Sequence, residues 1–527
     1  MIKDFRIIGK GWKERKKADQ KKTFFYLEAL FIDKRLWIQL KKEEKTLSFF
    51  AKKKKRLPKK EKEKEKEKEI PNKKKKGREE KGKKEKEKEK EKQKNFAGLS
   101  SEFKIPYMYP LGMYGRNHPP KQPEYLLLKG GTLWTCAKNP QILRNWDMLV
   151  HKGKIKKIEK NISPPQGAVI LDCRGKHITP GIIDAHSHMA IQGGVNEGSE
   201  ADTAEVRISD VLDPSDIAIY RQLAGGTTMA HLLHGSANPI GGQNAIIKLK
   251  WGEGMEEMLV KDGFSTIKFA LGENVKWSNR YPKTRMGVEQ FFRQRLALAK
   301  AYKRKWRSFL KGKVLLPPRK DLDLDALVEV LEGKRKVHCH CYRQDGILML
   351  MKVARDYGFR ICTFQHVLEG YKIAREIKHH GAHVSTFSDW WAYKHEAYDA
   401  IPYNGALMYR VGLVVSFNSD SDEMGRRLNF EAAKAIKYGN VPPQEALKFV
   451  TLNPAIQLGV DHRTGSLEVG KDADFVIWSS SPLSAYTRCL ETWIEGKKYF
   501  DRSQSIREYK KGIALKKRIF KSWGFPN

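Results

Sequence analysis

The sequence has few cysteines and no long apolar run. Its six cysteines are scattered over 527 residues: Cys136, Cys173, Cys339, Cys341, Cys362 and Cys489. That spacing is not typical of a disulfide-stapled secreted domain. No run of about 18 apolar residues is present, and the amino terminus lacks the apolar segment of a signal peptide. We therefore expect a cytoplasmic protein without an integral membrane segment.

Charge is plentiful but uneven. The whole chain has a net charge of +40, and residues 1–100 carry 38 Lys and Arg against 18 Asp and Glu. Within 41–94, Lys and Glu dominate, with strict alternation over 61–69. This alternation stabilises neither a helix nor a strand, because both forms bring like charges together. We predict a low-complexity, largely disordered tail over 1–122, and we expect no nucleic-acid partner because Glu offsets the Lys and aromatic residues are missing from 51–94.

Short alternating runs in two distant parts of the chain predict a small antiparallel β-structure. The predicted strands are 125–128, 134–136, 147–150, 154–158 and 168–171 in the first part, and 465–470, 474–478 and 492–500 in the second. The first group is too short to form a stable sandwich alone. We therefore predict one composite β-sandwich domain from 123–178 and 464–503, followed by a carboxyl-terminal tail at 504–527.

Between these parts, strand-like runs alternate with helical stretches over 179–463. The runs are 182–185, 227–233, 266–271, 336–340, 360–366, 383–387 and 413–417. Such alternation is typical of a doubly wound sheet or a (β/α)₈ barrel. Nearly every run ends in His, Asp or Glu, and the carboxyl ends of barrel strands converge on one face that holds the active site. The predicted fold class is therefore α/β, a (β/α)₈ TIM barrel with the composite β-sandwich.

Two segments in the first half of this region offer candidate metal ligands. His186 and His188 lie two residues apart, so in a strand they face the same side and can bind one ion. A polar turn with two incidental histidines is the alternative. Farther along, Glu273 or a modified Lys268 could supply an anionic bridging ligand, unless both side chains are merely exposed to solvent.

A second pair of candidates follows the next strands. His338, Cys339, His340 and Cys341 alternate, but a thiolate zinc site needs further ligands from a nearby turn, and none follows. One imidazole from each of two successive strands is the better interpretation, namely His340 and His366. A purely structural histidine is the alternative at either position.

Proton transfer needs a further group, and Asp420 follows the last apolar run. This carboxylate could take a proton from a metal-activated water and pass it to a leaving nitrogen. Asp422 competes for the role, and helix capping is the alternative for both. The Gly-rich segment 231–243 could bring backbone N–H groups and the imidazole of His234 to a developing oxyanion, or it could be an ordinary turn.

The order of these candidates along successive strands, His-x-His, an acidic or Lys ligand, His, His and Asp, resembles the amidohydrolase superfamily, particularly its imidazolonepropionase-like branch. The stretches 179–188, 224–228, 340–343, 451–455 and 465–474 resemble the same branch, and the similarity covers 124–502. It implies a barrel with one or two divalent metal ions, with Zn²⁺ as the expected ion. The implied ligands are His186, His188, His340, His366 and Asp420, and Asp420 is also the implied acid/base. A carboxylated Lys268 would be usual for the family, whereas 272–274 is similar to members that use a glutamate, so Lys268 and Glu273 stay as alternatives.

The resemblance further implies a hydrolase that cleaves a non-peptide C–N bond, in an amide or a cyclic amide, by metal-activated hydroxide. A nucleobase-type deaminase at the same site is one alternative. A catalytically silent barrel that acts as a binding or scaffold protein is another. The expected partner is a small-molecule substrate whose identity depends on loops at the barrel mouth. The oligomeric state is left open, with a homo-oligomer as one alternative. An exported protein is the alternative to a cytoplasmic one if the true start lies elsewhere.

Overall fold

The computed structural model describes residues 119–390 and 392–522, so the predicted tail at 1–122 lies almost wholly outside the described residues. The strands are β1 (Tyr125–Trp134), β2 (Ile142–His151), β3 (Lys154–Glu159), β4 (Val169–Asp172), β5 (His177–Pro180), β6 (Ile182–Ser187), β7 (Thr227–Leu232), β8 (Ile240–Gln243), β9 (Ala245–Lys248), β10 (Ser265–Ala270), β11 (Arg335–Cys341), β12 (Ile361–His366), β13 (His383–Thr386), β14 (Val415–Phe417), β15 (Phe475–Trp478), β16 (Cys489–Ile494) and β17 (Lys497–Asp501). The helices are α1 (Ile217–Leu223), α2 (Met255–Met258), α3 (Arg285–Leu310), α4 (Leu322–Leu331), α5 (Gln344–Tyr357), α6 (Ala374–His380), α7 (Asn404–Val411), α8 (Leu428–Gly439), α9 (Pro443–Lys448), α10 (Leu452–Leu458) and α11 (Arg502–Ser522).

One eight-stranded sheet combines strands from both sides of the central region. Its order is β17-β16-β15-β5-β1-β2-β3, and β4 pairs with β1. The two parts meet where β5 and β15 pair antiparallel, with Ile178 opposite Ile477. Phe475 and Trp493 stack in the core of this sheet at a centroid distance of 5.5 Å. The core is therefore built from both parts, and the proposed domain boundaries stay a prediction.

Two of the predicted strands in this sheet differ from the structure. The segment 465–470 contains bends and turns and no strand. Its two end glycines, Gly465 and Gly470, have φ values of +88° and +92°, which glycine adopts without steric cost. The segment 492–500 divides into β16 and β17, because Glu495 and Gly496 both take positive φ in a two-residue hairpin turn.

All seven predicted runs of the central region contain a strand: β6, β7 and β10 to β14. The strands from β10 to β14 are parallel neighbours in one sheet, and β6 and β7 are parallel in another. The segment 231–243, interpreted as a loop, contains β8. This strand pairs antiparallel with β10 at the edge of one sheet, and the next strand, β9, pairs antiparallel with β7 at the edge of the other, so the short connection from β8 to β9 joins the two sheets.

The open ends of these two sheets also approach each other. Ser187 and Ser421 form an isolated parallel bridge, and the backbone N–H of Asp420 donates to the carbonyl of His186 at 2.9 Å. The arrangement is of the TIM-barrel type with mixed sheets, and full closure of the barrel stays a prediction. Helices cover the strands, as where Phe292 of α3 packs on Phe269 of β10 at 5.3 Å.

The helices begin where the sequence offers capping side chains. Asp216 accepts from the backbone of α1, Thr284 from that of α3 and Asp321 from that of α4. The predicted tail at 504–527 lies largely in α11, which is rich in Lys and Arg. Across 119–390 and 392–522, no helix is both long and apolar enough to cross a membrane.

Candidate metal centre

Three predicted residues meet beyond the carboxyl ends of β6, β12 and β14. One ligand atom from each of His186, His366 and Asp420 lies within 4.8 Å of the others. Both imidazoles are fully buried, and Asp420 is partly open to solvent. Two imidazoles and a carboxylate form a donor set that suits borderline divalent ions such as Zn²⁺.

His188 joins this group from the end of β6. Its Nε2 lies 3.1 Å from Oδ1 of Asp420, and its Nδ1 lies 3.1 Å from the carbonyl oxygen of Leu233. If Nδ1–H donates to that carbonyl, the neutral imidazole turns an acceptor nitrogen toward the carboxylate oxygen. Two acceptors at this separation repel each other unless a proton or a cation joins them.

Two histidines of the predicted ligand set, His340 and His366, have nitrogens without a hydrogen-bond partner. Among the described residues, Nδ1 and Nε2 of His366 and Nδ1 of His340 are buried and make no hydrogen bond. Burial lowers the pKa of His366 to about 3 and holds the pKa values of His186 and His340 well below the usual range. These imidazoles are therefore neutral, which is the form that binds metals, and the residues fit a divalent ion.

Lys268 of β10 lies beside His186. Its side chain is fully buried, and its Nζ is 3.0 Å from Nε2 of His186. Burial lowers the pKa of this ammonium group to about 8. The structure thus brings Lys268 to the site.

Glu273 is placed differently. Its carboxylate pairs with Lys276 at 2.6 Å and with Arg285 at 3.4 Å, and its side chain is 49% exposed. The hydrogen bond from Lys276 is the main reason why its pKa lies below the usual range. The chain turns at Gly272, where φ is +79°, immediately before this half-exposed side chain.

Two of the converging residues have unusual backbone geometry. His366 has φ of +71° and Asp420 has φ of +47°, in the left-handed region that residues other than glycine rarely adopt. Such strain concentrates at functional sites. Burial raises the pKa of Asp420, but His366 and His188 outweigh burial and lower the pKa to about 2. Asp420 is therefore a carboxylate, whereas its competitor Asp422 lies exposed on the surface.

His234, the predicted oxyanion donor, is engaged on both sides of its ring. Its Nδ1 lies 2.9 Å from the carbonyl oxygen of Gly235, and its Nε2 accepts the backbone N–H of Glu197 at 2.8 Å. The ring is buried. In this arrangement His234 ties two loops together and has no nitrogen left for a substrate.

Three residues beside the site, Phe387, Tyr342 and Gln365, were given no role from the sequence, whereas Trp390 was interpreted as a residue that could wall the pocket. The ring of Phe387 stacks on His366 at 4.9 Å, and Trp390 stacks on Phe387 at 4.1 Å. Tyr342 meets the edge of His340 at 4.6 Å. Gln365 lies between His186 and His338. Its signal in the sequence is a polar amide within a mostly apolar strand, which alone does not identify the partner.

Comparison with known proteins identifies the class to which this fold and site belong. Residues 177–506, more than half of the chain, match the model of the amidohydrolase family. The chain belongs to the amidohydrolase family. The family and the hydrolase class predicted from the sequence are thereby confirmed, and members of this family generally use divalent metal ions.

Individual relatives agree with this assignment. Amidohydrolase tasK of Hapsidospora irregularis is 32% identical over 393 residues, which are 67% of this chain and 40% of tasK. An imidazolonepropionase of Thermoplasma acidophilum is 22% identical over 368 residues, 64% of this chain and 84% of that protein. The crystal structure of an amidohydrolase from Thermotoga maritima MSB8 is 32% identical with a TM-score of 0.67, covering 72% of this chain and all of that one. The chain thus spans about two fifths of tasK and most of the other two.

Proposed function

We propose that this protein hydrolyses a non-peptide C–N bond in a small amide or cyclic amide, with one or two divalent metal ions. One observation carries the proposal: the ligand atoms of His186, His366 and Asp420 lie within 4.8 Å of one another, and both nitrogens of His366 are buried without a partner. A site that is purely structural would satisfy these nitrogens. Similarity to an imidazolonepropionase supports a cyclic amide as the first substrate class to test.

The proposed ligands are the residues that the resemblance implied: His186, His188, His340, His366 and Asp420. Zn²⁺ is the proposed ion because imidazole and carboxylate donors suit it. Between the two candidates for a bridging ligand, we propose Lys268, since its buried Nζ already contacts His186, whereas Glu273 is half exposed and paired. Addition of dissolved CO₂ to the neutral amine of Lys268, with loss of one proton to water, would supply the anionic carbamate.

A divalent ion at this site would lower the pKa of water and polarise the scissile carbonyl group. Asp420 is placed to move protons, because its carboxylate contacts Nε2 of His188 at 3.1 Å and is partly open to solvent. It accepts a proton from the attacking water and then donates it to the leaving nitrogen, which must be protonated before the C–N bond breaks.

The aromatic side chains beside the proposed ligands orient the substrate. Phe387, Trp390 and Tyr342 form an aromatic wall beside His366 and His340, which favours a flat or apolar group next to the amide. His234 holds its own loop at Gly235 to the loop at Glu197. We also propose that the strands from β6 to β14 close into a barrel, with 123–178 and 464–503 as the composite domain.

The test is hydrolysis by the full chain after metal removal and reconstitution with Zn²⁺. A panel of amides and cyclic amides is screened for amine or carboxylate release, with the chelator-treated protein as the control. We expect turnover of at least one compound only with the ion present. Zn²⁺ bound to the protein with ammonia release from amidine rings alone would favour the deaminase, and failure to bind any divalent ion would refute the proposal.

A further inference from the structure

Gln365 is a fully buried amide held between two imidazoles. It lies in β12, next to His366, and its side chain has no solvent exposure. Its Oε1 is 3.2 Å from Nδ1 of His186, and its Nε2 is 3.0 Å from Nδ1 of His338. The amide therefore joins a proposed metal ligand to a histidine that the proposed mechanism does not use.

This placement decides which nitrogen of His186 carries the proton. An amide oxygen only accepts, so Nδ1 of His186 must donate to Oε1 of Gln365. A neutral imidazole that is protonated at Nδ1 has its lone pair at Nε2. That atom points into the site, 3.0 Å from Nζ of Lys268 and 3.3 Å from Oδ1 of Asp420. The reverse orientation of the amide would move the proton to Nε2 and remove the ligand atom.

On its other side the amide meets a second buried histidine. Its Nε2–H group donates to Nδ1 of His338, which places the proton of His338 on Nε2, a nitrogen without a hydrogen-bond partner among the described residues. Beyond it, the edge of the fully buried His231 meets His338 at 4.6 Å. Nδ1 of His231 faces the carbonyl of Ala185, and its Nε2 faces the hydroxyl of Thr266. The orientation of Gln365 is favoured at His186, because Nζ of Lys268 donates to Nε2 of His186 at 3.0 Å and thereby leaves the proton on Nδ1, which faces Oε1 of Gln365.

The neighbouring ligand shows the same requirement met in another way. Nδ1 of His188 lies 3.1 Å from the carbonyl of Leu233, which likewise leaves Nε2 for the site. A backbone carbonyl fixes the Nδ1–H tautomer of His188, and a side-chain amide fixes the Nδ1–H tautomer of His186. The first cannot be removed by substitution, but the second can.

We propose that Gln365 is a positioning residue that holds His186 in its Nδ1–H tautomer and thereby sets the affinity of the site for a divalent ion. The inference rests on the proposed metal-dependent function. Partners of this kind typically change metal affinity 10- to 100-fold when they are removed.

The experiment measures Zn²⁺ affinity by chelator competition for the parent, Gln365→Leu and Gln365→Glu. We expect Gln365→Leu to bind Zn²⁺ about 10- to 100-fold more weakly. Gln365→Glu keeps an acceptor for Nδ1 of His186, so it should recover most of the affinity. The matched control is Gln457→Leu, because Gln457 is equally buried but contacts Ser416 and the carbonyl of Val384. Its affinity for Zn²⁺ should equal that of the parent.

The outcomes separate the inference from the function on which it rests. A parent that binds no Zn²⁺ would refute the metal-dependent function. A parent that binds Zn²⁺, with Gln365→Leu binding it equally well, would overturn the role of Gln365. If Gln365→Leu does not fold, long-range ¹H–¹⁵N spectra of the metal-free parent decide, with the His186 signal assigned by its loss in His186→Asn. The Nδ1–H tautomer supports the inference, and the Nε2–H tautomer contradicts it.

Discussion

Two buried lysines in this protein have opposite surroundings. Lys248, at the end of β9, contacts Asp472 at 2.7 Å, Asp474 at 2.9 Å and Glu495 at 3.0 Å. Lys268, in the next strand along the chain, β10, contacts the neutral imidazole of His186. Burial lowers the pKa of both, but the carboxylates around Lys248 outweigh it and raise that pKa above the usual range.

The comparison separates a structural cluster from a functional one. The carboxylates of Asp472, Asp474 and Glu495 compensate the charge of Lys248. Through these contacts they join β9 to the loops of the eight-stranded sheet. Around Lys268, nitrogens of His366 and His340 remain without partners. A buried polar group with all its partners stabilises one conformation, whereas a set of converging groups without partners indicates that a ligand supplies what is missing.

The largest expected effect concerns Asp420, the proposed proton shuttle at the metal site. Asp420→Asn removes the group that accepts and returns the proton, so kcat should fall by about 100- to 10,000-fold. Steady-state kinetics on a substrate found in the amide screen measures it. Asp422→Asn is the matched control, since Asp422 is exposed, and its kcat should stay near that of the parent. Equal rates for Asp420→Asn and the parent would remove Asp420 from the mechanism.

Lys248→Met should cause the largest loss of stability. The substitution leaves Asp472, Asp474 and Glu495 without their buried cation, and breaking a buried ion pair costs about 3–5 kcal/mol. Urea denaturation of the chain measures the free energy of unfolding. Bound Zn²⁺ per folded chain should not change, because Lys248 belongs to the structural cluster. An unchanged free energy of unfolding would show that the cluster contributes nothing.

Lys268→Met should have the opposite effect on stability. Burial disfavours the charged amine, and each pKa unit of lowering corresponds to about 1.4 kcal/mol. Removing the amine should therefore leave the metal-free protein equally stable or more stable, by about 1–3 kcal/mol. The same urea titration, carried out with chelator present, measures it. A loss as large as that of Lys248→Met would mean that the two lysines do not differ as described.

Acid should weaken the structural cluster by a smaller amount. Burial raises the pKa of Asp472, but Lys248, Lys154 and Arg463 outweigh it, so the folded pKa lies below the usual range. A carboxylate with a lowered folded pKa stabilises the fold above its unfolded pKa of about 4, and this stabilisation is lost as the pH falls toward the folded pKa. The free energy of unfolding should therefore decrease below pH about 4. Lys248→Met, measured in parallel, should show a smaller decrease, and equal slopes would contradict the assignment.

The sequence predicted the elements that depend on local pattern. The seven strands and the candidate ligands at their carboxyl ends follow from apolar runs that end in polar residues. The strand β8 was missed because Gly241 and Gly242 weaken its apolar pattern. Glycine is required there, since a Cβ atom would lie 2.8 Å from Nδ1 of His234 and 2.7 Å from Cγ2 of Val206.

Choices that depend on distant contacts were not predictable. The sequence alone does not distinguish Lys268 from Glu273 as a bridging ligand, because the difference arises from the burial of Lys268 beside His186 and from the pairing of Glu273 with Lys276 and Arg285. The contact of Gln365 with His186 joins β12 to β6, and its contact with His338 depends on the register between β12 and β11. The family resemblance supplied the ligand set, and only the structure shows how those ligands are held.

The most direct test of the central claim is the metal content of the purified full chain by plasma mass spectrometry, after growth with added Zn²⁺. The parent is compared with Lys268→Ala and with Glu273→Gln as the matched control. We predict one or two metal ions per parent chain, a reduced content in Lys268→Ala and an unchanged content in Glu273→Gln. No bound metal in the parent, even after reconstitution, would contradict the account, and a loss confined to Glu273→Gln would contradict the assignment of the bridging ligand.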